Sequence, residues 1–462
     1  MSQPDALART IPQPRDAGTE RVKADARPMQ VTAGTIPSDT DAKPTRMRFF
    51  MLFFILIATV ISYVDRTNLG IAAPLLSKEL QLDKAQMGQI FAAFGLTYAF
   101  ALVPGGYIAD MLGSRLAYAG ALATWSLATV AQGFAGTFNG LFGARLAMGV
   151  LESPAFPANA RAVTMWFPTK ERGMATSFYI TGQYIGTPIF AGLLLWLAQE
   201  HGWRSVFYAT GLAGLTLGLC WYFIYQDPRE CRRANAAELD YIEKGGGLTT
   251  NPSRAPFNGK ALLQLLAYRQ IIGICLGKFC SNSVLVFFTT WFMTFLIEER
   301  KMTIMKAGFY QMLPFLGATA GILVAGLLSD FLIRRGVSMS SARKLPLIVG
   351  SFLASSIVLV NVITSDAAVI AILTLSFFSQ GVAASSWTAV SEVAPRKYIG
   401  LASGITSLAA NLAGVTTPLV IGYVLHSTGS FYWALNFIGA VCICGALSYL
   451  VIVGPLRRIE LD

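Results

Sequence analysis

Long apolar runs constrain this chain more than any other feature: Phe49–Tyr63, Leu116–Val130 and Phe437–Val453 contain no Asp, Glu, Lys or Arg at all. Such a segment belongs in hydrocarbon, where the backbone must satisfy its own hydrogen bonds, and this selects helices of about 20 residues. Breaking the sequence at charged or Gly/Pro-rich turns gives twelve of them, spans 1 to 12. They cover residues 48–73, 86–109, 115–135, 138–161, 172–198, 203–226, 269–297, 305–333, 345–364, 367–391, 399–426 and 429–455. Only 13% of the chain is charged, against about 25% in soluble domains, which excludes a plain cytosolic enzyme. The formal net charge of +11 does not indicate nucleic acid, because Lys and Arg lie in short loops and tails rather than in an aromatic-interleaved patch.

The polar stretch Asp227–Tyr268, with six Lys/Arg, five Asp/Glu and the run Gly245–Gly247, divides the spans six and six. Connections after even-numbered spans carry sixteen Lys/Arg and those after odd-numbered spans six, so the even loops and both termini are expected in the cytoplasm. Residues 1–47 are polar, without the apolar core of a signal peptide, and read as a disordered cytoplasmic tail. The organisation expected is a six-helix bundle over 48–226, a cytoplasmic linker over 227–268, a second bundle over 269–456 and a short tail over 457–462. The linker's polarity suggests little apolar burial and tolerance of change. GYIAD at Gly106–Asp110 returns as GLLSD at Gly326–Asp330, and Phe167–Ala175 returns in part at Ala394–Ala402. The fold class is therefore an all-α polytopic membrane protein with two pseudo-symmetric halves, a transporter design with its site between them near the bilayer midplane.

A charge in mid-span costs at least about 2.5–3.5 kcal/mol, so each one is a functional candidate. Asp65 and Arg66 (span 1), Arg145 and Glu152 (span 4) and Lys278 (span 7) qualify. Tyr63 and Arg66 are an i,i+3 pair, as are Asp65 and Asn68, which suggests one polar face or, alternatively, a structural ion pair with another helix. Arg145 and Glu152 are seven residues apart and point the same way, as an anion site beside a titratable acid or as an internal salt bridge. Tyr98, Gln183 with Tyr179, Asn282 with Lys278, and Ser407 with Asn411 either line a hydrated cavity or tie helices together. In the loop between spans 2 and 3, Asp110 is expected at the start of a helix within reach of Arg115, between Gly106 and Gly113, as a cytoplasmic latch. Glycines at 95, 182, 186, 321 and 326 read as close-packing positions. His201 and His426 are the only histidines, and the six cysteines show no metal-type clustering, so no metal site is expected. An enzyme would need a Ser/His/Asp set, a metal cluster or a phosphate loop, and a channel would need a filter segment or charged ring. The sequence offers none of these.

The Gly106–Arg115 loop resembles the signature of the major facilitator superfamily, although Met111 stands where that family usually has a basic residue. Tyr63–Leu69 (YVDRTNL), Gly149–Pro157 (GVLESPAFP), Trp166–Pro168 and Glu238–Gly247 (ELDYIEKGGG) resemble the anion:cation symporter group, in particular bacterial sugar-acid/proton symporters. The resemblance spans about residues 48–460. It implies that Asp65 and Glu152 carry coupling protons, that Arg66 meets the substrate carboxylate and that Arg145 modulates Glu152. It also places Tyr63, Tyr98 and Gln183 in the cavity, and Lys278, Asn282, Ser407 and Asn411, read from the residues as polar positions of the second half, are expected to complete the substrate site. Lys278 replaces a common Gln, and Ser407 stands where relatives often have Asn. The implied activity is import of a sugar-acid anion (an aldarate such as glucarate or galactarate, or an aldonate or hexuronate) by proton symport. Protons would be the coupling ion, with no cofactor, in a monomer of the bacterial inner membrane. An importer of another organic anion, aromatic or tartrate-like, and an exporter on the same fold are the alternatives.

Overall fold

The structure is a computed structural model and describes residues 43–247, 259–383, 387–395 and 398–460. Among the described residues, ten helices are long and apolar enough to cross a membrane. Two further spans emerge at helix breaks. The 51-residue helix Lys84–Phe134 is interrupted at Gly113, whose φ of +75° suits glycine, so it holds both span 2 and span 3. Span 4 comprises Phe138–Glu152 and Ala155–Trp166, split because Pro154 has no N–H to give the Val150 carbonyl; the Ser153 hydroxyl donates to that carbonyl instead, at 2.7 Å. The remaining spans are Met47–Glu79 (1), Arg172–Glu200 (5), Trp203–Ile224 (6), Arg269–Thr290 (7), Ile304–Arg334 (8), Met339–Val362 (9), Asp366–Ala383 (10), Ile399–Thr428 (11) and Tyr432–Ile452 (12). The observed architecture is thus the expected twelve-span helical one. Span 1 runs on past its expected end, since Pro74 lies within a helix whose neighbours cover it.

Small residues set how closely the spans approach. A Cβ on Gly149 would run into the Thr97 hydroxyl and the Phe94 carbonyl, so glycine there lets span 4 lie against span 2 and brings Glu152 towards Phe94 and Tyr98. Gly95, Gly182, Gly186 and Gly321 are packing sites as expected, but Gly326 faces open space, which removes it from that group.

The two halves meet at the face opposite the linker. There Gly70 abuts Thr289, Gly88 abuts Pro418 and Gly422, and Gly95 abuts Gly414. Lys84 pairs with Glu298 at 2.5 Å and Gln89 donates to the Tyr423 hydroxyl at 3.0 Å. Towards the linker the same stripes of spans 2 and 11 part: Leu102 and Gly106 are half-exposed, and a side chain at Gly404 would meet nothing. The crevice between the halves therefore opens to the linker face.

The linker corrects an expectation. Residues 1–42 and 248–258 lie outside the described residues, but 227–247 fold against the first half, and Cys231, Glu238 and Ile242 are buried. Glu238 serves as an N-terminal cap for span 1, accepting hydrogen bonds from the Thr45 hydroxyl (2.5 Å), the Met47 N–H (2.8 Å), and the N–H (3.1 Å) and guanidinium (3.3 Å) of Arg48. A buried carboxylate at a helix N-terminus, bonded to charged and main-chain donors, is a strong tie. Replacing Glu238 by Ala should leave these donors unsatisfied and lower the melting temperature, at a cost of about 1–3 kcal/mol. Asp240→Asn, which disturbs only the exposed Asp240–Lys244 pair, should leave it unchanged. Thermal unfolding of the purified variants in detergent distinguishes the two.

Candidate functional site

Spans 1, 2 and 4 build the site on the first half. Arg66 donates to Glu152 Oε1 from Nε at 2.9 Å and from Nη2 at 2.6 Å, and Ser62 Oγ donates to the same oxygen at 2.5 Å. Glu152 sits at the Pro154 break of span 4 and is 1% exposed. Its second oxygen is buried and accepts no hydrogen bond among the described residues. Three rings surround the guanidinium: Tyr63 at 4.7 Å, Phe94 at 4.9 Å and Tyr98 at 4.6 Å from Arg66 Cζ. Cation–π contact and the carboxylate together hold a cation whose side chain is 18% exposed. The i,i+3 relation of Tyr63 to Arg66 is realised in this cage.

Two expected pairings are replaced. Glu152 bonds Arg66, eighty-six residues away, rather than Arg145 on its own span. Arg145 is 2% exposed, lies 5.3 Å from the Phe94 ring and, among the described residues, donates to the Met148 sulfur at 3.6 Å. Asp65 does not share a face with Arg66. It is fully buried inside the first half and accepts from Trp125 Nε1 at 3.0 Å. Asn68, three residues on and on the same side of the helix as Asp65, donates to the Thr210 hydroxyl at 3.0 Å. Asp65 and Arg66 are consecutive, about 100° apart around the helix, and so face different neighbours.

The second half presents its own polar cluster. Lys278 Nζ donates to Thr406 Oγ1 at 3.3 Å, and Asn282 Nδ2 donates to the Ala410 carbonyl at 2.7 Å, joining span 7 to span 11. Asn411 bonds the main-chain carbonyl of Ser407 at 2.9 Å rather than its hydroxyl. Gln183 is half-buried on span 5, beside Tyr184, whose ring lies 6.0 Å from that of Phe377 in the other half.

At the linker face the expected latch takes another form. The break at Gly113 puts Asp110 in the last turn of span 2 rather than at the start of span 3, so the helix dipole does not favour its charge. Arg115 donates to the Tyr222 carbonyl at 2.7 Å, within its own half. Nearby, Arg161 lies 3.7 Å from Asp227; burial pushes that carboxyl above its ordinary range and Arg161 pulls it part of the way back.

Sequence reasoning missed Ser62, Phe94, Trp125 and Thr406. Ser62 precedes Arg66 by four residues and Phe94 precedes Tyr98 by four, so helical spacing carried both signals. Trp125 offered a fainter one: it falls mid-span, away from the interfacial positions tryptophan favours in membranes.

Two six-helix halves closed at one face, with a caged cation where they part, define a membrane transporter. The chain belongs to the Major Facilitator Superfamily, whose family model matches residues 55–418. It is 41% identical over 424 residues to the D-galactonate transporter of Escherichia coli O6:H1, covering 90% of this chain and 98% of that one. It is 39% identical over 430 residues to a probable galactarate/D-glucarate transporter of Bacillus subtilis, covering 91% and 94%. Among solved structures, a D-xylose–proton symporter has the same fold, with a TM-score of 0.69, 16% identity and coverage of 88% of this chain and 98% of that one. The family and these relatives are transporters and not enzymes.

Proposed function

We propose that this protein imports a sugar-acid anion by proton symport, alternating the access of one central site between the two sides of a bacterial inner membrane. The observation that carries this reading is Arg66, which shares Glu152 Oε1 with Ser62 and keeps 18% of its side chain exposed. A carboxylate substrate and the Glu152 carboxylate compete for the same guanidinium. Protonating Glu152 removes its negative charge and with it the Coulomb attraction that holds Arg66 to it. Arg66 is then available to the substrate, and the proton and anion load together. Asp65 is the second acid, held by Trp125 behind the cage. The substrates for which the relatives are named, galactonate and galactarate/D-glucarate, support a sugar acid as cargo. The linker face is taken as cytoplasmic from the Lys/Arg count, so the crevice seen here opens inward.

Uptake of radiolabelled D-galactonate and D-glucarate into intact cells should rise with expression of the protein and collapse with a protonophore. Net loss of preloaded label would instead favour an exporter. For the orientation, a cysteine at exposed Lys244 should react with an impermeant maleimide only in inside-out vesicles. Labelling in intact cells would reverse the assigned topology.

A further inference from the structure

At the linker face the two halves treat their cations differently. On the first half Arg48, Arg161 and Arg229 each meet a carboxylate. On the second half Arg269, at the start of span 7, and Lys344, near the start of span 9, converge instead on one main-chain turn at Gly454, just beyond span 12. Lys344 Nζ donates to the Gly454 carbonyl at 2.7 Å, and a Cβ on Gly454 would run into the Arg269 guanidinium. Glycine is needed there twice over, since its φ is +60°. The turn is firmly held: Gln270 donates to the Pro455 carbonyl at 2.7 Å, Leu456 N–H to the Ser340 hydroxyl at 2.8 Å and Ile459 N–H to the Val393 carbonyl at 2.8 Å. Neither Arg269 nor Lys344 forms an ion pair with any of the described residues, nor does exposed Arg457, three residues past the turn. Like charges brought together on a fixed frame repel, and an anion between them relieves this.

An apolar surface adjoins the two cations. The helix Gly259–Ala267 ends at Tyr268, whose extended backbone separates it from span 7. Leu265 is buried in one cluster with Ile271, Leu347 and Ile459, which fixes the helix against span 7, span 9 and the C-terminal segment. Leu263 and Leu266, three residues apart, turn outward and are exposed. A short amphipathic helix at a span end, with leucines outward and a basic residue beside it, suits the boundary between headgroups and acyl chains. Basic pockets between span ends suit anionic headgroups.

We propose that Arg269 and Lys344 at the Gly454 turn bind the phosphate of an anionic phospholipid in the leaflet at the linker face, with Leu263 and Leu266 against its acyl chains. A zwitterionic lipid would add its own cation to the two already there, so the site selects net negative charge.

The test is native mass spectrometry of the purified protein as dioleoyl phosphatidylglycerol or dioleoyl phosphatidylcholine is titrated into the detergent. One phosphatidylglycerol should bind about tenfold or more tightly than phosphatidylcholine, and Arg269→Gln and Lys344→Gln should each weaken it about fivefold, the factor carried by one basic residue at an anionic surface. Arg269→Lys, which keeps the charge, should retain most of the affinity. Lys78→Gln, at an exposed lysine where the halves close, should leave it unchanged. Glycerophosphoglycerol and inorganic phosphate, which lack acyl chains, should not displace the lipid, and Leu263→Ser should weaken it. Displacement by either soluble anion would make this a site for free phosphate and overturn the proposal. Equal affinity for the two lipids, or a preference that survives both glutamine substitutions, would overturn it as well.

Discussion

Glu152→Gln is expected to abolish proton-driven accumulation of substrate while leaving substrate exchange intact. Oε1 accepts the hydrogen bonds from Ser62 and Arg66, and a glutamine oxygen placed there keeps an acceptor facing both residues. The amide cannot titrate, and it no longer neutralises Arg66, so the variant mimics the protonated carrier permanently. Arg66 stays available to the anion, which permits counterflow between labelled and unlabelled substrate, a process that needs no net proton movement. Asp65→Asn should also lose accumulation, since its amide oxygen can still accept from Trp125 but no proton can be carried there. Proteoliposomes report both modes: an imposed proton gradient for accumulation and preloaded substrate for counterflow. Full accumulation by either variant would remove that acid from the coupling.

Arg66→Ala has the larger effect, because it should eliminate counterflow as well as accumulation. It also strands Glu152, 1% exposed, without its cation, and breaking a buried pair in this way costs about 3–5 kcal/mol. Arg66→Lys should restore part of the stability but little transport. An ammonium lacks the fork that gives two hydrogen bonds to Oε1 and the flat surface that three rings enclose. The double variant Arg66→Ala with Glu152→Gln should be more stable than Arg66→Ala alone, as coupled neighbours require, and equally inactive. Melting temperatures in detergent, read beside counterflow rates, check both parts. Substrate exchange by Arg66→Ala would show that the anion is held elsewhere.

The twelve spans were legible because hydrocarbon demands long apolar helices and each leaves its own run in the sequence. Span ends were less so, since Pro74 and Gly113 act through neighbouring structure: one is absorbed within a helix, and the other ends a helix three residues after Asp110. The charged residues of the site were legible one by one from the cost of placing them in a membrane. Their partners were not. Periodicity along span 4 puts Arg145 and Glu152 on one side but says nothing of span 1, from which Arg66 reaches Glu152. The linker misled for a related reason, as its polar average conceals Glu238 and Ile242, one turn apart on a single buried face of a short helix.

The account's central claim is that an anion bound at Arg66 travels with protons taken up by buried acids. Its most direct measurement is proton movement accompanying substrate entry into liposomes containing the purified protein, with no imposed pH gradient and the membrane potential clamped. Adding sugar acid outside should alkalinise the external medium in step with uptake, and Glu152→Gln should abolish that signal. Uptake without alkalinisation, or with acidification of the medium, would contradict proton symport.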